Sequence, residues 1–396
     1  MALPTTISGS VFPDDNYFIG PFKSSAGNIY TITNDTAASA TRLAAFKATH
    51  PEVSFSEQDA ANKPVLDSTS DRALSLWVYQ VSDVLHIVSS VALGDGSADV
   101  KYHTFNMATD LWAIVSETIQ LAINTGLART TASIALRSDG TPIVLYNGTK
   151  DAIKGTDYKR VDYARRVSAG NWTIVSVDNA GEANWYGAVI VLGSSDRMHF
   201  FFSNHSAVDA YQRTLNSANS LETFPASFDV NSSFVAHLFA PGVHFTSGAN
   251  EKVRCAYFQD PLGVGARKLG IAGFNSADAP SVNVVASDIT STREVEDAFE
   301  TPIACVAVDG QTQHLLYSEN TVNDLWRDLT GIDNDTWGTD VEVLDAVNIQ
   351  RVSCNVYDRS GTKLAYVYND GGTVKYNEVT LGAAAVSPKI HQAIYR

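Results

Sequence analysis

One kind of segment recurs seven times along this chain, and the recurrence constrains the fold more than any other feature. The copies are SAGNIYTITND (25–35), VSDVLHIVSS (81–90), SDGTPIVLYNG (138–148), SSDRMHFFFSN (194–204), ANEKVRCAYFQD (249–260), GQTQHLLYSEN (310–320) and SGTKLAYVYND (360–370). Each has a small or polar turn, an alternation of β-branched or aromatic residues, and a polar stop, which is the signature of a strand entered from a tight turn. Aligned on the third residue after the turn, the copies place Tyr30, His86, Ile143, His199, Val253, His314 and Leu364 at one position, 50 to 61 residues apart. That interval fits a unit of several strands and fills the whole chain.

Upstream of each turn runs an apolar strand with a small residue: Gly20, Ser75, Ser133, Gly187, Gly242, Ala304 and Ser353. Small side chains suit a strand crowded near an axis. Downstream lie a third strand, as in VKYHTF (100–105) and KLGIAGF (268–274), and a fourth that often opens on tryptophan, as at Trp112, Trp172 and Trp337. No segment shows helical periodicity. The expected fold is all-β: a seven-bladed β-propeller of four-stranded antiparallel blades. Residues 1–13 read as an N-terminal leader and residues 14–396 as one propeller domain, with blades starting near 17, 74, 132, 187, 241, 302 and 351. Either Thr5-Thr6-Ile7-Ser8 or the tail Lys389-Ile390-His391 could add an outer strand to the blade formed by the other terminus.

Three histidines at one repeat position argue against a catalytic base, because an active site is normally unique on a chain. His86, His199 and His314 are expected to pack or to hydrogen-bond between blades. The three cysteines, Cys255, Cys305 and Cys354, stand in apolar runs and read as buried thiols.

With 28 basic against 43 acidic residues the net charge is −15, which repels phosphate backbones and anionic membrane surfaces. Nucleic acid and membrane insertion are therefore not expected, whereas neutral glycans or other proteins of an assembly are. The N-terminal stretch MALPTTISGSVFPDD has neither the basic nor the apolar part of a signal peptide.

The turns Thr109-Asp110-Leu111-Trp112, Ser168-Ala169-Gly170-Asn171-Trp172 and Asp333-Asn334-Asp335-Thr336-Trp337 resemble the Asp-box of sialidase-like (BNR-repeat) propellers. The resemblance implies a fold rather than an activity, since that box is a folding device. The Arg-Ile-Pro signature of catalytic sialidases is missing; the first inner strand reads Tyr17-Phe18-Ile19-Gly20-Pro21 instead. The chain is also similar in style to propeller proteins of tailed-phage and uncultured viral genomes.

A site on such a scaffold is expected at the axial mouth, where blade-entry segments meet the loops between second and third strands. Candidate ligand-binding residues there are Asp15, Tyr17, Glu182, Trp185, Tyr186, His237, Phe239 and Glu300: rings to stack on sugar faces and carboxylates to accept from hydroxyls. The same rings would serve equally to plug the channel. A polar cluster of Asp157, Tyr158, Arg160, Asp162, Arg165 and Arg166 reads as a salt-bridged strand surface. Acidic turns at 94–99 and 333–335 offer oxygens to calcium but lack the spacing of an EF-hand, and no other cofactor is indicated. No GxSxG, HExxH, P-loop or dinucleotide fingerprint occurs. The favoured expectation is a non-enzymatic structural or glycan-recognising module, part of a phage-like virion or other assembly and displayed on its surface. The alternative is a carbohydrate-active enzyme, a glycosidase or polysaccharide lyase, working at the mouth.

Overall fold

The computed structural model describes residues 4–7, 17–35, 40–49, 54–69, 74–93, 97–124, 131–147, 161–178, 185–204 and 209–222, together with the strands of 228–380 named below. The described strands pair into seven antiparallel sheets. In chain order the first comprises Phe18–Lys23, Ile29–Asp35, Thr41–Ala48 and Ser56–Gln58, with Val65–Asp67 also on the third strand. The second comprises Leu74–Val81, Val84–Ala92, Ser97–Asn106 and Leu111–Asn124. The third comprises Ala132–Leu136, Pro142–Asn147, Val161–Ser168 and Asn171–Asp178.

In the fourth, Trp185–Leu192, Met198–Asn204, Asp209–Leu215 and Leu221–Glu222 follow one another, and Phe228–Asp229 pairs the third strand. The fifth has Phe234–Phe239 and Val243–Ser247 on one edge of Asn250–Pro261, then Arg267–Asn275 and Ser287–Ser291. The sixth comprises Ile303–Ala307, Thr312–Glu319, Asp324–Gly331 and Thr336–Trp337, with Val341–Leu344 on the third strand. The seventh comprises Ile349–Val356, Lys363–Asp370 and Thr373–Thr380, and its fourth strand is Thr5–Thr6.

The first strand of each sheet lies against the first strand of the next, and Phe18–Lys23 meets Ile349–Val356, so the innermost strands complete a circuit. Four-stranded sheets standing around a closed circuit make a β-propeller, which leaves only short outer edges. Of the two closures open to the sequence, the N-terminal one is seen: Thr5 pairs with Tyr376, Thr6 with Lys375, and the Ile7 N–H donates to the Val374 carbonyl at 2.9 Å. Ile7 then packs with Phe18, Ile29, Val367 and Tyr376 in the core between the first and seventh sheets.

The small inner-strand residues act as interlocks. The Gly20 N–H donates to Ser353 Oγ at 3.1 Å and the Ser353 hydroxyl donates back to the Gly20 carbonyl at 2.7 Å, while Ser133 Oγ accepts from the Ile190 N–H at 3.0 Å. Gly20 sits at φ +151, and a Cβ there would come within 3.1 Å of the Tyr30 carbonyl oxygen, so a side chain is excluded twice over. The seven aligned repeat positions all fall on second strands.

One expected strand differs. The fifth blade, expected to start near 241, instead has an inner edge of two strands, Phe234–Phe239 and Val243–Ser247, both paired with Asn250–Pro261. Pro241, with no N–H to give to a ladder, falls between them.

Candidate functional site

Antiparallel pairing brings the start of each first strand, the end of the second and the start of the third to one end of the sheet. In the fourth sheet this end is the row Trp185, Asn204, Asp209 and Asp229, followed by Tyr186, Ser203, Ala210 and Phe228. Every sheet has a carboxylate residue at this rim end: Asp35, Asp99, Asp162, Asp209, Asp260, Glu319 with Asp324, and Asp370. Buried polar side chains gather here as well, including Asn34, Ser90, Asn147, Asp162 and Asn369. Of these carboxylates Asp35, Asp99 and Asp370 are ion-paired with Lys63, Lys101 and Lys375, and Asp162 is buried.

The candidate residues divide accordingly. Trp185 and Tyr186 open the fourth sheet's first strand at the rim end. His237 and Phe239, expected in a blade-entry segment, stand within the strand Phe234–Phe239. Tyr17 is 4 % exposed and packs with Phe22, Leu43 and Leu76, so its ring belongs to the core between the first and second sheets. Asp15, Glu182 and Glu300 lie outside the described residues, as do Asp157, Tyr158, Arg160, the acidic turn at 333–335 and residues 94–96 of the other. Asp99, at the end of that other turn, is engaged, accepting from the Ala122 N–H at 3.0 Å, and among the described residues no group of three or more metal-type ligands occurs.

Two of the three histidines are seen in hydrogen bonds within their own sheets. His86 Nδ1 meets the Tyr102 hydroxyl at 2.6 Å and His199 Nδ1 meets Thr214 Oγ1 at 3.2 Å, each partner being in the same sheet rather than in the next blade. Burial, helped by the Arg166 charge, drops the His86 pKa to about 4 and keeps the ring neutral. His314 lies on the sixth sheet's second strand.

A further histidine, which the sequence reading did not single out, imitates a catalytic pair. His103 is fully buried, and its Nε2 is 2.8 Å from Ser89 Oγ. Its Nδ1, however, accepts the Ser116 N–H at 3.0 Å, so the ring proton must sit on Nε2 and point at the serine. A ring that donates to the hydroxyl cannot take its proton. Burial, reinforced by Lys101, lowers the His103 pKa to about 3. The pair is therefore a buried hydrogen bond and not a nucleophile with its base.

Other charged groups bolt neighbouring sheets together. Arg166 makes a two-pronged ion pair with Glu117 across the second and third sheets, at 2.9 and 2.7 Å, and Trp172 Nε1 donates to the same carboxylate at 2.8 Å. Burial raises the Glu117 pKa, but the Arg166 and Trp172 hydrogen bonds outweigh it and leave the value below the ordinary one. Arg166 thus pairs away from its own expected cluster, and Asp162 of that cluster is buried. Asp110, from the Asp-box-like turn, accepts from the Tyr30 hydroxyl at 2.7 Å and from Lys47 at 2.6 Å, both in the first sheet.

At the opposite, turn end, Asp83 takes the Ser25 N–H at 2.6 Å and its hydroxyl at 2.5 Å, and Asp196 takes the same two groups of Ser138 at 2.8 and 2.7 Å. Each bolt joins a sheet to the one before it across 58 residues. The signal for them was in the sequence, where Ser82-Asp83 and Ser195-Asp196 precede His86 and His199 at identical spacing.

No protein-family model matches the chain, and no curated protein matches its sequence. Among solved structures, an α-L-arabinofuranosidase of Fusarium graminearum, a mutant in complex with an iminosugar inhibitor, matches at TM-score 0.52 and 12 % identity, over 95 % of this chain and 96 % of that one. The α-L-arabinanase of Penicillium chrysogenum, complexed with arabinobiose, matches at 0.51 and 12 %, over 96 % and 98 %. At this identity the likeness is one of fold across essentially the whole of each chain: this is a β-propeller of the kind on which those two enzymes are built. The match corrects the expectation of a non-enzymatic virion or recognition module.

Proposed function

We propose that the protein is a glycoside hydrolase acting on a neutral glycan, with its site at the rim end of a seven-bladed propeller. The reading is carried by full-length likeness to two structures named for cleaving arabinose glycosides, on a chain whose rim end repeats carboxylates in every sheet. A net charge of −15 favours neutral over polyanionic substrates. In this reading Trp185 and Tyr186, which open a strand at the rim end, are assigned to the sugar, and Glu182, Glu300 and Asp15 are assigned the proton donor and its partner carboxylate, whereas His237 and Phe239, mid-strand in the fifth sheet, are not. Of the Asp-box-like turns, those bearing Asp110 and Trp172 serve as braces between sheets.

The test is incubation of the purified chain with arabinan, arabino-oligosaccharides and other neutral glycans, followed by chromatography of the products. Released sugar, lost in Glu182→Gln or Glu300→Gln, is the expected result. Proton NMR of the first product gives inversion or retention of the anomeric centre, and so the spacing of the two carboxyls. Binding of the same glycans with no cleavage at any pH from about 4 to 8 would refute the proposal.

A further inference from the structure

Arg42 stands at the beginning of the third strand of the first sheet, at the rim end, opposite Asp35. Its face is fixed by alternation: Phe46, four residues on, packs into the core shared with the seventh sheet, so Arg42 points toward that seam. By the same rule Ile29, Thr31, Thr33 and Asp35 of the second strand face the seam, the Asp35 carboxylate being neutralised by Lys63, as do Val367 and Asn369 from the other side.

Three polar groups stand along this face without partners. Thr31 and Thr33 are 0 % exposed and neither hydroxyl has a hydrogen bond, and Arg42 Nε is buried in the same state. Among the described residues Arg42 makes no ion pair either, although acidic residues outnumber basic ones by 15 and the adjacent Asp35 is held by Lys63. Leaving a desolvated guanidinium nitrogen and two hydroxyls unsatisfied costs stability. A cost of this kind at the rim end is what a binding group would relieve.

We infer that the seam between the first and seventh sheets holds an oxyanion subsite, in which Arg42 grips the anion and Thr33, with Thr31 behind it, donates hydrogen bonds. Guanidinium geometry matches a carboxylate or phosphate. The subsite stands two strands out from the innermost one, away from the axial mouth. It suits an isolated uronate on an otherwise neutral glycan, or a free phosphate. The inference does not depend on the hydrolase reading, because it is tested by binding without turnover.

The experiment compares melting temperatures of wild type, Arg42→Gln and Thr33→Val in about 50 mM D-glucuronate, inorganic phosphate or D-glucose at matched ionic strength. Without ligand, Arg42→Gln should melt within about 1 °C of wild type, since no described contact is lost. Glucuronate should raise the wild-type value by about 1 °C or more over glucose, with the rise abolished in Arg42→Gln and reduced in Thr33→Val. An equal rise with phosphate, also lost in Arg42→Gln, assigns the subsite to any free oxyanion; a rise with glucuronate alone assigns it to a sugar carboxylate. No anion-specific rise, a rise that survives Arg42→Gln, or an unliganded Arg42→Gln that melts more than about 3 °C lower would overturn the inference.

Discussion

The two ends of the sheets use their polar groups differently. At the turn end, Asp83 and Asp196 are consumed in short bonds to the preceding sheet, and Arg137 donates to the carbonyls of Asn216 and Ser217. At the rim end, Thr33 and Ser90 are buried with hydroxyls that bond nothing. Neither end is uniform, since Gln80 Oε1 and Arg137 Nε at the turn end are also buried without partners and Asp35, Asp99 and Asp370 at the rim end are ion-paired; what sets the turn end apart is the pair of aspartate bolts between successive sheets. The difference separates what holds the ring from what the ring presents, and experiments can press on each side of it.

The largest effect should come from the closing strand. Deleting residues 1–7 removes the pairing of Thr5 and Thr6 and the buried Ile7, and exposes the edge of Thr373–Thr380. A fall of more than about 5 °C in melting temperature is expected by circular dichroism. An unchanged melt would mean that ring closure does not need this strand.

Next is Glu117→Gln, which leaves Arg166 without its counter-charge across the second and third sheets. Both side chains are less than a quarter exposed, so a loss of about 2 kcal/mol is expected in urea unfolding. Because the folded state holds the Glu117 pKa below its ordinary 4.5, the carboxylate's contribution is complete above that value and is lost as pH falls through the depressed one. The stability gap between wild type and variant should therefore be constant from neutral pH down to the ordinary 4.5 and shrink as pH falls below it. A gap that stays constant below that value as well would show that the ion pair is not its source.

Asp83→Ala and Asp196→Ala should each cost about 1 kcal/mol, the bolts being solvent-exposed. The smallest effect is reserved for the catalytic look-alike. Ser89→Ala should leave any glycan cleavage unchanged, and the His103 ring should show no titration above about pH 5 by NMR. A Ser89→Ala variant that folds but loses activity would reinstate the pair as chemistry.

How much of this was legible beforehand follows from the range of each interaction. Strands such as Val84–Ala92 and Lys363–Asp370 announce themselves because alternation and turn chemistry are local. The crowding of Gly20 and Ser353 at the axis was readable as small residues, though not as a reciprocal hydrogen bond between the ends of the chain. The bolts were readable only as a repeated Ser-Asp pair before His86 and His199: that each aspartate reaches back 58 residues is set by ring closure, which is not local. Tyr17 misled for a related reason, since an aromatic before an inner strand fills the next inter-sheet core as readily as it lines a mouth.

The most direct test of the division compares glycan cleavage by variants of the two ends, at a temperature where all are folded. Asp83→Ala and Asp196→Ala, at the turn end, should retain the wild-type rate on arabinan within about twofold, whereas Glu182→Gln and Glu300→Gln, assigned to the rim end, should lose on the order of 100-fold. Equal losses from both ends, or rim variants as active as wild type, would contradict the account.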